Sequence, residues 1–138
     1  MDSSENENFL PFNWKAIVIG IVLTLVLGLI LSYLSRALNF NAIGLIGVGF
    51  VPLLIGGILT GYLAKGHPMN GAIHGGIVGA VIWLIYVLYI LYLNQSIILQ
   101  IVQSLAMSLI GNACIGILGG TIGSLIMIGQ MKIKNRNE

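Results

Sequence analysis

The chain has 138 residues, of which 57% are hydrophobic and 7% are charged, and its net charge is +2. Soluble domains carry about 25% charged residues, so this composition excludes an ordinary soluble globular protein. The six basic residues form no internal cluster, which argues against nucleic acid as a partner and favours the lipid bilayer.

The chain begins with a polar, acidic segment, residues 1–12, which predicts a disordered tail. Four apolar runs follow, at residues 16–35, 42–64, 72–93 and 96–129. A membrane-spanning helix needs about 20 residues, so each of the first three runs fits one crossing. Together the four runs predict an all-α, polytopic membrane protein, because in hydrocarbon a helix satisfies its own backbone hydrogen bonds.

The fourth run is too long for a single upright crossing. We therefore expect residues 97–103 to lie at the membrane interface, after a short turn near Asn94, and the span itself to cover 105–128. A basic tail, 132–138, then ends the chain. On this division, residues 13–131 form one four-helix transmembrane domain.

The basic residues predict the orientation of this domain. With four crossings, both termini and the turn at 65–71 share one side of the membrane. That side carries Lys15, Lys65, Lys132, Lys134 and Arg136, and the other side carries Arg36. The positive-inside rule then places both termini in the cytoplasm, and we expect a multi-pass protein of the plasma membrane.

Small residues recur every four positions in the predicted helices, a pattern that lets helix backbones approach closely in lipid. The glycines expected to pack in this way are Gly20, Gly28, Gly57, Gly61, Gly75, Gly79, Gly116 and Gly120. Because the turn at 65–71 is short, the second and third helices should be neighbours. The expected contacts join Gly57 and Gly61 to Gly71, Gly75 or Gly79.

The chain also resembles two copies of one helical hairpin. Ala16, Gly20 and Tyr33 recur 56 positions later as Ala72, Gly76 and Tyr89, and Gly56-Gly57 recurs 63 positions later as Gly119-Gly120. Two duplicated hairpins would be parallel repeats. Glycine-rich apolar sequence also produces such matches by chance, so both explanations stay open.

Three residues are candidates for a narrow polar path. His74 lies about one turn inside the third helix, where an ionisable group is a functional candidate. Asn112 is deep in the fourth span, and Pro52 predicts a kinked or locally unwound second helix. The alternative for His74 and Asn112 is adhesion, in which their hydrogen bonds join helices.

Neither a metal centre nor a catalytic site is indicated. A metal needs three or four ligands, and no acidic residue or cysteine lies near His67 and His74 in sequence. Cys114 and Ser124 have no neighbouring base in sequence. We therefore predict no metal, no cofactor and no enzymatic activity.

The absence of Asp, Glu, Lys and Arg from the spans favours one of two functional classes. Coupled carriers generally use an ionisable group inside the membrane. The favoured function is thus a non-enzymatic structural or accessory protein that forms a homo-oligomer or joins a larger membrane complex. The alternative is a small channel or carrier with a path near Pro52, Asn112 and His74.

Three short motifs carry a resemblance to known sequences. They are Asn13-Trp14-Lys15-Ala16 before the first span, Gly56-Gly57 with Gly61-Tyr62-Leu63-Ala64-x-Gly66 at the end of the second, and Gly71-Ala72-x-His74-Gly75 at the start of the third. With these motifs the chain resembles an uncharacterised archaeal family of small, glycine-rich, four-helix membrane proteins. The likeness covers residues 13–80 well and the fourth helix loosely. It implies the four-span fold and supplies no activity.

Overall fold

A computed structural model describes residues 12–38, 42–93 and 98–136, and the side chains of these ranges except at 42–48, 93 and 98–106. The described chain is all-helical. Its four helices are α1 (Trp14–Ala37), α2 (Ala42–Ala64), α3 (Pro68–Leu93) and α4 (Ile98–Arg136). The expected disorder of residues 1–11 and the turn near Asn94 fall outside the described residues.

Three helices are long and apolar enough to cross a membrane: α1, α3 over Pro68–Tyr92, and α4 over Met107–Arg136. In α2 the stretch with described side chains, Gly49–Ala64, is apolar but shorter. The helices therefore fit a membrane protein, and the crossing by α2 stays a prediction.

The fourth helix differs from its expected division. α4 is one uninterrupted helix of 39 residues, about 58 Å long at 1.5 Å per residue. It includes residues 103 and 132, so the predicted interfacial segment and the start of the basic tail belong to the same helix as the span, and the membrane boundaries along it stay predictions. The sequence contains no proline between Ile98 and Arg136, and the basic last turn is favoured by the helix dipole.

The turn between α2 and α3 is made by two residues in the left-handed region. Lys65 has φ 55° and Gly66 has φ 90°, which ends α2 directly after Ala64. Glycine adopts this conformation freely, whereas for lysine it costs about 1–2 kcal/mol. Pro68 then opens α3, where its fixed φ suits the first helical position.

Pro52 does not interrupt α2. The helix is continuous from Ala42 to Ala64, so local unwinding is excluded, and the alternative of a kink at Pro52 stays a prediction. A proline removes one hydrogen bond of the helical ladder, and neighbouring helices can compensate for that loss inside a membrane bundle. The Pro52 side chain is fully buried against them.

The helices pack with α2 and α3 between the outer two. α1 contacts α2 and α3, and α4 contacts the same two helices. Ile17, Leu53 and Val78 form the small buried apolar core, while most large apolar side chains lie on the outside. Such an exterior suits a lipid environment.

One end of the bundle is formed by the start of α1, the end of α2, the start of α3 and the last turns of α4. Hydrogen bonds join Asn13 to Leu63 and His74, and Tyr62 to Gln130, at this end. We call it the basic end. Its basic residues are Lys15, Lys65, Lys132, Lys134 and Arg136, and Arg36 lies in the last turn of α1.

Candidate functional site

The first close helix contact, between α1 and α2, pairs glycines with threonines. A Cβ built on Gly20 would meet Oγ1 of Thr60, and one built on Gly56 would meet Oγ1 of Thr24. Each threonine hydroxyl donates to the carbonyl four residues earlier, Thr24 to Gly20 and Thr60 to Gly56, both at 2.8 Å. We call these four residues the glycine–threonine crossing. Each hydroxyl occupies the space that the opposite glycine leaves.

The second close contact brings α2, α3 and α4 together through backbone atoms. A Cβ on Gly120 would meet the carbonyl oxygen of Gly71 and would lie 3.1 Å from Cα of Gly75. A Cβ on Gly61 would meet the carbonyl oxygen of Gly120, and Gly75 and Gly116 oppose each other in the same way. We call these five residues the glycine junction. The Ser124 hydroxyl lies against Gly71 and donates to the Gly61 carbonyl at 3.0 Å, whereas the atoms nearest to the other four glycines belong to backbone.

The regularly spaced glycines of α2 and α3 pack against a different helix from the one expected. The nearest atoms to a Cβ at Gly57 or Gly61 belong to α4, so these glycines do not primarily face α3. Gly71, Gly75 and Gly79 also face α4, through Ser124, Gly116 and Asn112 among others. The reason is that α4 presents glycines on two sides, toward α2 at Gly119 and Gly123 and toward α3 at Gly116 and Gly120. The predicted direct seam between α2 and α3 therefore does not hold.

One glycine of the expected set has no packing role within the chain. A Cβ built on Gly28 would have no heavy atom of the described chain within 4 Å. Residues spaced by four drift around a helix of 3.6 residues per turn. By Gly28, two turns beyond Gly20, the column of α1 has turned away from α2. Gly28 therefore does not pack against another helix of the described chain, and its role in helix packing stays a prediction.

The two hairpins do not repeat their contacts. Under the offsets seen in the sequence, Gly76 and Gly123 correspond to Gly20 and Thr60. A Cβ on Gly76 instead approaches the side chain of Ile117 at 3.1 Å, and Gly123 faces Ile58 and Tyr62 of α2. The matching residues therefore do not occupy equivalent positions.

His74 lies fully buried at the basic end, with both ring nitrogens engaged. Its Nε2 is 3.0 Å from the backbone nitrogen of Asn13, and its Nδ1 is 2.7 Å from the carbonyl oxygen of Asn70. A backbone N–H only donates, so Nε2 accepts. Nδ1 therefore carries the ring hydrogen and donates to Asn70. The ring ties the start of α1 to α3.

Asn13 makes further hydrogen bonds in the cluster around His74. The sequence did not indicate it as a site residue. Its Oδ1 accepts from the Ala16 N–H at 3.2 Å and caps α1, while its Nδ2 donates to the Leu63 carbonyl at 3.1 Å. The Phe12 ring lies over His74, with ring centres 5.4 Å apart. Residue 12 was expected in the tail, yet it belongs to this cluster. The sequence could have indicated this role for Asn13, because an asparagine just before an apolar run is typical of a helix N-cap.

Asn112 forms a hydrogen bond within its own helix. Its Nδ2 donates to the Ser108 carbonyl at 2.8 Å, and Trp83 of α3 donates from Nε1 to the Ser108 hydroxyl at 2.9 Å. Asn112 lies against Gly79, which is five residues from His74, or about 7 Å along the helix axis. No hydrogen bond of the described chain joins His74 to Asn112, and Pro52 is buried. The polar path near these three residues stays a prediction.

The chemistry available in the described ranges is that of hydrogen bonding and packing. Every buried side-chain nitrogen or oxygen there has a hydrogen-bond partner. No three residues of the types His, Cys, Asp and Glu come close enough there to hold a metal ion. The His74 cluster therefore has the geometry of a structural connection between helices.

These features define a small helical protein with the helices of a membrane protein and glycine-mediated packing. Over residues 14–126 the chain matches the family described as "Family of unknown function (DUF5518)", and it belongs to that family. The resemblance to a family without a known function is thereby confirmed, and the match carries no activity. No curated protein and no solved structure matches the chain.

Proposed function

We propose that the protein is a non-enzymatic membrane protein with a structural or accessory role, assembling with itself or with a larger membrane complex. The observation that carries this proposal is the use of polar groups inside the bundle. Each buried polar side-chain atom of the described residues is bonded within the chain. A transport path needs polar groups that are free to bind a solute or water in turn.

The individual residues of the rival path support the same function. His74 is hydrogen-bonded to the backbone of Asn13 and Asn70, and the Asn112 amide donates a hydrogen bond to the Ser108 carbonyl. A bond between membrane helices, such as that of His74 to Asn13, is worth about 0.6–2 kcal/mol and serves adhesion, whereas the Asn112 bond lies within α4 and engages its amide there. Glycine contacts then supply close packing where lipid gives little hydrophobic drive.

In the proposed topology all four helices cross the plasma membrane and both termini are cytoplasmic. α2 has 23 residues, about 35 Å at 1.5 Å per residue, enough for about 30 Å of hydrocarbon. Five of the six basic residues lie at the basic end, which the positive-inside rule assigns to the cytoplasm.

Site-directed labelling tests this topology. In a Cys114→Ser background, cysteines introduced at Asn94 and at Asn137 should react with a membrane-impermeant reagent from opposite sides. Labelling of both from one side would overturn the four-crossing arrangement.

The proposed assembly is supported by glycines that remain open on the outside of the bundle. Gly28 and Gly111 have no heavy atom of the described chain near a built Cβ. A helix of another chain can approach such positions as closely as α4 approaches α3. These positions are where a second copy or an accessory partner would pack.

Mass measurement after purification in a mild detergent tests the function. We expect the mass of a homo-oligomer or of a stable complex whose other chains are identified by mass spectrometry. The opposite result is a monomer without partners that carries solute across liposome membranes, with the flux lost in Asn112→Leu.

Thr121→Val is the matched control for the flux measurement. Thr121 donates to the Ile117 carbonyl at 2.8 Å, the same type of intrahelical bond as that of Asn112. Flux lost only in the Asn112 variant would establish the channel or carrier.

A further inference from the structure

A groove of about 340 Å³ lies at the basic end, between the last turn of α2 and the last turns of α4. Its α4 wall is formed by Met127, Gln130, Met131 and Lys134, which share one helix face at spacings of three and four. The facing wall includes Lys65 of the left-handed turn. Two lysines, one in the turn after α2 and one on α4, therefore border the same groove.

The remaining polar groups of the groove are Tyr62 and Gln130. The Tyr62 hydroxyl donates to Oε1 of Gln130 at 2.8 Å. This bond uses the acceptor of the Gln130 amide and leaves its Nε2 group as a donor at the groove wall. With the two lysines, the groove offers N–H donors and positive charge, and no acidic residue lines it within the described ranges.

The rest of the lining is apolar. Leu63, Met127 and Met131 form part of the walls, and Met127 is buried between the helices. A free phosphate ion would gain nothing from this apolar surface. An anionic phospholipid matches both parts, because its phosphate can meet the lysines while its glycerol and upper acyl chains cover the apolar walls.

We propose that this groove binds the headgroup of an anionic phospholipid. Lys65 and Lys134 pair with the phosphate from two sides, and Gln130, oriented by Tyr62, donates a hydrogen bond to it. The groove lies where the spans end, at the depth of lipid headgroups. The site rests on the membrane location proposed above and is independent of the accessory role.

Another lysine of α4 provides a matched control. Lys132 lies two residues from Lys134, and two residues turn a helix by about 200°, so Lys132 faces away from the groove. It borders a separate hollow with Ile133, Asn135 and Arg136. Lys132→Gln and Lys134→Gln therefore remove the same charge from the same helix turn and differ in the face they alter.

The experiment measures lipid retained by the full chain in detergent, by native mass spectrometry, with dioleoylphosphatidylglycerol as probe and dioleoylphosphatidylcholine as neutral control. We expect preferential retention of phosphatidylglycerol. Lys65→Gln and Lys134→Gln should each weaken it about fivefold, corresponding to about 1 kcal/mol per basic residue, and Lys132→Gln less than about twofold. Equal losses in all three variants would show general surface attraction and overturn the site.

Two further measurements complete the test. Tyr62→Phe should weaken phosphatidylglycerol retention while leaving the charge unchanged, because Gln130 loses its orienting bond. Inorganic phosphate should not displace the lipid; displacement would identify a soluble anion as the occupant and overturn the lipid assignment. A chain that inserts into phosphatidylcholine membranes but shows no headgroup preference would refute the groove and leave the proposed membrane location standing.

Discussion

The glycine–threonine crossing and the glycine junction both allow helix backbones to approach closely, and they differ in the atoms that face the glycines. At the crossing, each glycine of α1 or α2 faces a threonine hydroxyl of the other helix. At the junction, glycines of three helices face one another's carbonyl oxygens and Cα atoms. At the crossing the atom nearest to each added Cβ is a threonine hydroxyl, which can rotate or be truncated, whereas around Gly120 at the junction the nearest atoms all belong to backbone.

This difference indicates which glycines are most important for the packing of the bundle. A neighbouring side chain can yield to an added methyl group, whereas a neighbouring helix must move as a whole. Moving α4 away from α3 would also loosen its contact with α2, since Gly120 faces both. Tolerance to substitution should therefore depend on the opposing atom, and the spacing of glycines in the sequence does not reveal it.

The largest effect is expected for Gly120→Ala at the junction. The new methyl group would meet the Gly71 carbonyl and would lie 3.1 Å from Cα of Gly75. Overpacking of this kind costs about 1–3 kcal/mol, and we expect the upper end because only backbone is available to move. The loss is measured as the free energy of unfolding in one detergent.

Gly129→Ala is the control for this substitution. Gly129 lies in the same helix, and a Cβ there meets no heavy atom within 4 Å. It should be neutral or slightly stabilising, because alanine favours the helix over glycine by about 1 kcal/mol in water. Equal losses at Gly120 and Gly129 would contradict the backbone contact at the junction.

The helices themselves were largely predictable from the sequence. The expected run 42–64 coincides with α2, and the run 72–93 ends with α3. Such bounds follow from local chemistry, because long apolar runs form helices in lipid and Gly66 and Pro68 interrupt them. Length in excess of the membrane does not by itself end a helix, and α4 continues from Ile98 to Arg136.

The partners of individual residues were less predictable. His74 bonds to Asn13, which is 61 positions away, and no local pattern encodes that distance. The glycine columns showed that close packing was available, but each α4 column faces a different helix. Which column meets which helix depends on the rotation of α4, a property of the whole bundle.

His74→Leu should have the next largest effect, because it removes the hydrogen bond between the start of α1 and α3. The Asn13 N–H would lose its acceptor in a part-buried site, and an unsatisfied donor costs about 1–3 kcal/mol. We expect a loss near the middle of that range in the same unfolding measurement.

His74→Gln refines this prediction. Its amide oxygen can still accept from Asn13, although the bond to the Asn70 carbonyl is lost. The glutamine variant should therefore fall between the natural chain and the leucine variant. A glutamine variant as unstable as the leucine variant would show that the hydrogen bond to Asn13 is not the source of the effect.

At the crossing, Gly20→Ala should cost about 1 kcal/mol, the lower end of the overpacking range. The new methyl group would meet Oγ1 of Thr60, which must then rotate away from the Gly56 carbonyl. Adding Thr60→Ala removes that hydroxyl, so the double variant should recover part of the loss. A double-mutant cycle measures this coupling. Strictly additive losses would show that the threonine is not what limits the space.

Gly28→Ala should have the smallest effect and separates packing within the chain from packing between chains. Gly28 continues the column of Gly20 and Thr24, yet its built Cβ has no heavy atom of the described chain within 4 Å. Stability of the isolated chain in detergent should be unchanged or slightly raised. If a second copy packs at this face, the same methyl group should lower the mass of the assembled species, which light scattering detects at matched concentration. A loss of stability as large as that of Gly20→Ala, with an unchanged mass, would mean that Gly28 packs within the chain after all.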